Sequence, residues 1–386
     1  MSFDTIPHIT SKLPDVGTTI FTVMSALANE HDAINLSQGF PNFNIDERLK
    51  DLVKKALDDE QVQYAPMPGR LDLREQLAAK MFVQHGVALN PDTEITIAAG
   101  ATQAIYSAIA AVVKAGDEVI MFDPAYDCYD PSVRLHGGVP VHLNLTFPDY
   151  RINWEEVNER ITPKTRMIMV NNPHNPAGTV WTIDDIKALE ELCIKYPELI
   201  VLSDEVYEHI QYEGEHQSVL KSEILRPRSF VTYSFGKTFH VTGWKVGYTV
   251  APSFLTTELR KMHQFNVFCV NNTIQAALAE YLSTGSEWMQ VAPFYKEKRD
   301  LFLGAMKNSR FKALNCEGTY FSLFDYSAIS DEADVDFAKR MTIEYKVASI
   351  PVSVFYKDNT DNKVVRFCFA KEDETLTKAI MKLCKI

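Results

Sequence analysis

Ser229-Phe-Val-Thr-Tyr-Ser234-Phe-Gly-Lys237-Thr-Phe-His-Val-Thr-Gly-Trp-Lys245-Val-Gly247 is the stretch on which the reading of this chain turns. A strand-like run, Ser229–Tyr233, feeds a tight turn flanked by small residues, and Ser234, Lys237 and Lys245 fall within twelve positions. A lysine on a turn at a strand's end is held rigidly and partly shielded from water. Desolvation and a neighbouring positive charge both disfavour its ammonium form, which leaves a nucleophilic amine. The two lysines are eight positions apart, a spacing that suits one covalent attachment point and one anion clamp. The ligand this pattern points to is a phosphorylated aldehyde. Taken alone, a pair of lysines is more often two surface charges, so the rest of the chain has to decide.

A length of 386 residues with 46 % hydrophobic and 23 % charged side chains is ordinary for a globular protein with a large core. The balance of 39 basic against 51 acidic residues gives −12 without a long basic run, which argues against nucleic acid or an anionic membrane as the main partner. Met1–Pro7 has neither the basic nor the apolar part of a signal segment, and no apolar run reaches the ~18 residues of a membrane span. Six scattered cysteines, with no C-x-x-C pair and no metal-ligand spacing, read as free thiols in a reducing cytoplasm and give no metal site.

Short apolar runs alternate with helical patterns through the middle of the chain. Glu94–Ala98, Val119–Phe122, Arg166–Val170, Leu199–Leu202, Phe230–Tyr233 and Val246–Val250 read as strands, and Ala101–Val113 reads as a buried helix opened by Gly100. Fully apolar strands separated by helices indicate a mostly parallel α/β sheet covered on both faces, with ligands gathered beyond the strands' carboxyl ends. Tyr126, Asn175, Asp204 and the Ser234/Lys237 pair each lie zero to five residues past a predicted strand end, so four separate segments converge on one rim. Towards the C-terminus, Glu317–Phe324 and Lys363–Phe369 read as strands, with helical spacing over Asp334–Tyr345 and Glu372–Cys384. This part is expected to form a smaller α+β domain with the N-terminal segment. The predicted division is 46–290 for the large domain, with 1–45 and 291–386 making the small one.

With S-x-x-K at Ser234–Lys237, Asn-Pro-His-Asn-Pro-x-Gly at Asn172–Gly178 and Asp-x-x-Tyr at Asp204–Tyr207, the chain resembles the fold-type I pyridoxal-phosphate (PLP) aminotransferases of class I from about Ile34 onwards. The resemblance implies the seven-stranded sheet of that fold and PLP as cofactor. It makes Lys237 the covalent anchor and the base that moves the Cα proton. Asp204 matches the carboxylate that keeps the pyridine nitrogen protonated, and Asn175 and Tyr207 match the two groups on the phenolic oxygen. Tyr126 matches the aromatic stacked on the ring. Gly100, Ala101 and Thr102 at a helix start, with Ser234 and Lys245, match the phosphate site. The commonest pattern has arginine where this chain has Lys245; the lysine variant occurs in the kynurenine, glutamine and methionine branch. Tyr64 matches a tyrosine that reaches the phosphate from a neighbouring subunit, which implies a homodimer.

Arg366, set in the apolar run Val365-Arg-Phe-Cys-Phe369, matches the arginine that binds the substrate carboxylate through paired hydrogen bonds, with Asn175 and the backbone at Gly39 assisting. Dicarboxylate-specific members use a second arginine, and the matching stretch Asn266–Asn271 has none. Phe21, Phe40 and Phe268 are expected to line the side-chain pocket, an aromatic surface that suits methionine or aromatic amino acids, with a 2-oxo acid as acceptor. The alternative is a C–S β-lyase of the cysteine-conjugate or cystathionine type, which shares the first half of the reaction. A DNA-binding regulator on the same fold is disfavoured by the roughly thirty residues ahead of the matched region, and a nucleotide-binding protein by the absence of a glycine-rich phosphate loop after the first strand.

Overall fold

A computed structural model of the chain describes residues 9–386; residues 1–8, which begin the expected small domain and carry the stretch read for a signal segment, lie outside the described residues. Seven strands form the main sheet. In spatial order they are Ile95–Ala98, Gly247–Val250, Ser229–Ser234, Ile200–Asp204, Thr165–Asn171, Glu118–Asp123 and Val139–Asn144. Gly247–Val250 runs antiparallel to both neighbours and every other pairing is parallel. The central strands are buried almost throughout, which is why they read as unbroken apolar runs rather than as alternation. The helix Ala101–Val112 lies across Ser229–Ser234 and Gly247–Val250 and buries Ala104, Ile105, Ala108 and Ile109.

Six of the seven strands fall where the sequence indicates them. Val139–Asn144 was not among the predicted strands. It sits at the sheet's edge with one partner, is only partly buried, and contains Pro140, so it lacks the apolar signature of its neighbours. The turn expected to carry Lys237 is a single helical turn, Phe235–Thr238, that starts directly at the end of its strand.

A second, antiparallel sheet runs Ile350–Pro351, Val364–Cys368, Phe321–Asp325 and Lys312–Ala313. Phe321–Asp325 begins four residues later than the predicted start at Glu317. Thr319 adopts a left-handed φ of 63°, and the amides of Glu317 and Gly318 both donate to the carbonyl of Gly178 at 2.8 Å. Ile34–Asn35 pairs in parallel with Val347–Ala348, and the helix Ile20–Glu30 packs on Asp334–Glu344, which fastens the N-terminal segment to the C-terminal part. The two sheet regions share their cores. Val206, Tyr207 and Ile210 join the apolar cluster built mainly from the C-terminal part, while Leu323, Val352 and Val364 join that of the main sheet. The carboxyl ends of the parallel strands therefore face a crevice closed by the second sheet.

Candidate active site

A cavity of about 340 Å³ opens along that crevice. Its walls include Phe21, Gly39, Phe40, Gly100, Ala101, Thr102, Tyr126, Asn175, Asp204, Tyr207, Ser234, Lys237, Lys245 and Arg366. Segments more than three hundred residues apart thus meet in one place, and all but two of the candidate site residues named from the sequence line it. The exceptions are Tyr64 and Phe268. Tyr64 is 83 % exposed, and Phe268 lies edge-on to it with ring centres 5.3 Å apart. Phe268 therefore does not line the cavity of its own chain, contrary to expectation. The chain turns left-handed there, with φ 71°, just beyond the helix Ser253–Asn266, and this directs the ring towards Tyr64.

One end of the cavity is built for an anion. Gly100 starts the helix Ala101–Val112 with φ 79°, and a Cβ added there would lie 3.2 Å from Nζ of Lys245. A Cβ on Gly247 would meet the carbonyl of Tyr233 at 2.4 Å and the amide nitrogen of Ala101 at 3.2 Å. Both glycines let the helix start, the lysine and the strand end approach closely. The lysine charge then adds to free amides and to the positive end of the helix dipole. Ser234 completes this end of the lining.

The middle of the cavity holds Asp204, which is buried, and Lys237, which is part-buried. Burial, aided by the charges of Arg366 and Lys245, lowers the Lys237 ammonium to about 8, with Asp204 opposing. Its Nζ donates to the hydroxyl of Tyr320 at 2.9 Å and more weakly to the carbonyl of Gly39 at 3.5 Å. In the chain prepared without any small molecule, labelling of Lys237 by an amine-reactive reagent is expected to rise through a midpoint near pH 8, well below an exposed lysine. Peptide mass spectrometry across pH measures it, and a midpoint above 10 would contradict the assignment.

Burial raises the Asp204 carboxyl to about 6, while the Tyr129 hydroxyl, donating at 2.6 Å, and the amide of Val206, at 3.3 Å, hold it down. A carboxylate so placed is enclosed yet still ionised near neutral pH. It is suited to hold a positive charge opposite it.

Asn171, at the end of its strand, donates through its side chain to the Asp204 carbonyl at 2.8 Å and accepts from the Asn175 amide at 2.7 Å. This fixes the Asn-Pro-His-Asn-Pro loop relative to Asp204. Asn175 in turn accepts from Arg366 Nη1 at 2.9 Å.

Arg366 is the most unusual group. It is 1 % exposed, and among the described residues no carboxylate pairs with it. Its remaining partner is the Ser37 carbonyl at 3.3 Å, its Nε has none, and its guanidinium lies 3.8 Å over the Phe321 ring. Burying an unpaired guanidinium costs several kcal/mol. An arginine left in this state can still take an anion as a partner. Two further rings lie near the guanidinium, Phe21 at 5.3 Å and Phe355 at 5.6 Å.

The sequence reading did not single out Asn171, Tyr129, Tyr320 or Phe321. Tyr129 was within reach, since it stands three residues beyond Tyr126 in the same segment. Tyr320 and Phe321 carry no local signal: their roles arise from the second sheet's closure over the strand ends.

The family model for aminotransferases of class I and II matches residues 31–383. The chain belongs to that family. It is an aminotransferase, and the relatives place transfer of an amino group ahead of the lyase alternative. A methionine aminotransferase of Escherichia coli K12 is 47 % identical over 375 residues, covering 97 % of each chain. A solved Escherichia coli structure described as having a methionine aminotransferase function superposes with a TM-score of 0.96 at 46 % identity, covering 99 % of this chain and all of the other. A kynurenine–oxoglutarate transaminase of Dictyostelium discoideum is 32 % identical, covering 96 % of this chain and 94 % of its own. The aminotransferase has the α/β fold of these relatives, and among its described residues no helix is long and apolar enough to cross a membrane.

Proposed function

We propose that the enzyme is a PLP-dependent aminotransferase that takes methionine, and less readily aromatic or other large neutral amino acids, with a 2-oxo acid as acceptor. The observation that carries the cofactor assignment is a lysine amine of lowered pKa sharing one cavity with a buried carboxylate, an anion cradle and an unpaired arginine. When bound, PLP supplies the electron sink for charge leaving the substrate's Cα.

The chain's own residues divide the remaining work. Gly100, Ala101, Thr102, Ser234 and Lys245 would hold the phosphate, and Tyr126 would cover the ring. Asp204 would pair with the ring nitrogen, with Tyr129 keeping the carboxylate ionised. Asn175 and Tyr207 would hold the phenolic oxygen. Lys237 would be the covalent anchor and the base for the substrate's Cα proton. Arg366, with Asn175 and the backbone at Gly39, holds the substrate carboxylate.

The substrate assignment has two supports. The methionine aminotransferase relative is nearly half identical. The cavity's cations are Lys237, Lys245 and Arg366, each with a task above, so none is left for a second carboxylate. Phe21 and Phe40, with Phe321, provide an apolar wall for a thioether or a ring. The exposed Tyr64–Phe268 pair is assigned to the neighbouring cavity of a homodimer. The six free thiols support a reducing, cytoplasmic location. In a panel of amino donors against several 2-oxo acids, methionine is expected to exceed aspartate in kcat/KM by roughly 100-fold or more. Comparable rates for the two donors would reject the substrate assignment. Pyruvate and ammonia formed without an acceptor would reject transfer as the main reaction.

A further inference from the structure

Tyr320 carries an arrangement that the residue roles above do not use. Its side chain is fully buried between the rings of Tyr207, Tyr295 and Phe321, and its hydroxyl reaches two groups. It donates to the Gly39 carbonyl at 2.6 Å and receives Lys237 Nζ at 2.9 Å. A phenol has a single proton, and a carbonyl can only accept. With that proton committed to Gly39, Tyr320 faces the lysine as an acceptor. The other partner of Nζ, the Gly39 carbonyl at 3.5 Å, is an acceptor as well. Both neighbours therefore take N–H groups from the amine, and neither donates to its lone pair.

We propose that Tyr320 is a positioning residue of this aminotransferase that orients Lys237 as a base. Resting on the reading of Lys237 as the proton carrier, its acceptor oxygen engages one N–H of the released amine and leaves the lone pair free for the substrate's Cα proton. The proton step balances simply. The neutral amine takes H⁺ from Cα, the electron pair of the C–H bond remains with the substrate, and the resulting ammonium hands the same proton on. Tyr320 neither gains nor loses a proton. Its link to Gly39 also ties the base to the loop Ser37–Phe40, whose Ser37 carbonyl holds Arg366. Base and carboxylate clamp are thereby positioned by one segment.

The test is Tyr320→Phe, which keeps the ring and removes only the hydroxyl, and with it both the acceptor for Lys237 and the link to Gly39. In the holoenzyme, kcat for methionine is expected to fall roughly 10- to 100-fold with KM changed less than about threefold. The isotope effect with Cα-deuterated methionine should increase as proton transfer becomes more limiting. In the chain prepared without PLP, the labelling midpoint of Lys237 should fall by roughly half a pH unit, because an acceptor favours the ammonium. Tyr295→Phe, which removes a neighbouring hydroxyl bonded to His240 rather than to Lys237, should leave that midpoint in place. If Tyr320→Phe does not fold, a ring-fluorinated tyrosine at 320, a weaker acceptor of nearly the same shape, should give smaller changes in the same directions. Unchanged kcat, isotope effect and midpoint in either variant would overturn the proposal. The wild-type isotope effect and single turnovers of Lys237→Ala supplied with PLP and methionine separate that outcome from failure of Lys237 as the base: if Lys237 is not the base, loss of the Cα proton persists in the alanine variant.

Discussion

Lys237→Ala is expected to fold normally, to lose the visible absorbance of lysine-linked cofactor, and to lose turnover by about 10⁴-fold or more. The fold should survive because Lys237 contributes little to holding the structure together. Its amine makes one good hydrogen bond, to Tyr320, and its enclosure penalises the charged form. Removing a partly desolvated ammonium leaves a small gap in a cavity already about 340 Å³ in volume, not a hole in the packed core. The chemical loss is expected to be large because the proposed function gives covalent anchoring and proton transfer to the same atom. Absorbance spectra, thermal melts and single-turnover measurements with methionine check the three parts separately. An alanine variant that retained both the absorbance and turnover would remove the central assignment.

Arg366→Met should separate function from stability in the opposite sense. Loss of paired, charge-assisted hydrogen bonds to the substrate carboxylate is expected to lower kcat/KM for methionine by roughly 10³-fold. An amine that lacks the carboxylate should react equally poorly with wild type and variant, which localises the effect. Without substrate the arginine is a liability. It is buried, among the described residues no carboxylate pairs with it, its Nε is unsatisfied, and its bonds to Asn175 and Ser37 are worth only about 1–3 kcal/mol each. Against these stands a desolvation cost of several kcal/mol for the ion. Melting of the full chain without ligand should therefore show a midpoint equal to or a few degrees above wild type. A loss in kcat/KM below about tenfold would remove Arg366 from the substrate site. A melting temperature many degrees lower would mean that its hydrogen bonds matter more to the fold than its burial costs.

How far the sequence could be read depended on where each signal resides. Strands such as Ile200–Asp204 announce themselves because burial on both faces demands apolar side chains at every position. Val139–Asn144 does not, since an edge strand with one exposed side can carry proline and histidine. The same contrast runs through the site. Lys237, Asp204 and Asn175 stand in short motifs at strand ends, where chemistry and local geometry coincide. Tyr129 and Asn171 act within or beside those motifs, on Asp204, through contacts that span 75 and 33 residues. Phe268 has the residue type that a pocket wall needs, but a left-handed backbone turn places it on the surface of its own chain beside Tyr64.

The sequence by itself determined the fold class and singled out Lys237 as the lysine proposed to react, because strand burial and the Ser234–Lys237 turn are encoded locally, residue against neighbour. Only the tertiary structure decided how that lysine is held. Tyr320 stands just ahead of the strand Phe321–Asp325 of the second sheet and Gly39 in the N-terminal segment, and they reach Lys237 across 83 and 198 residues of chain. Hydrogen-bond direction depends on which atoms meet within about 3 Å, and no spacing along the chain carries that information.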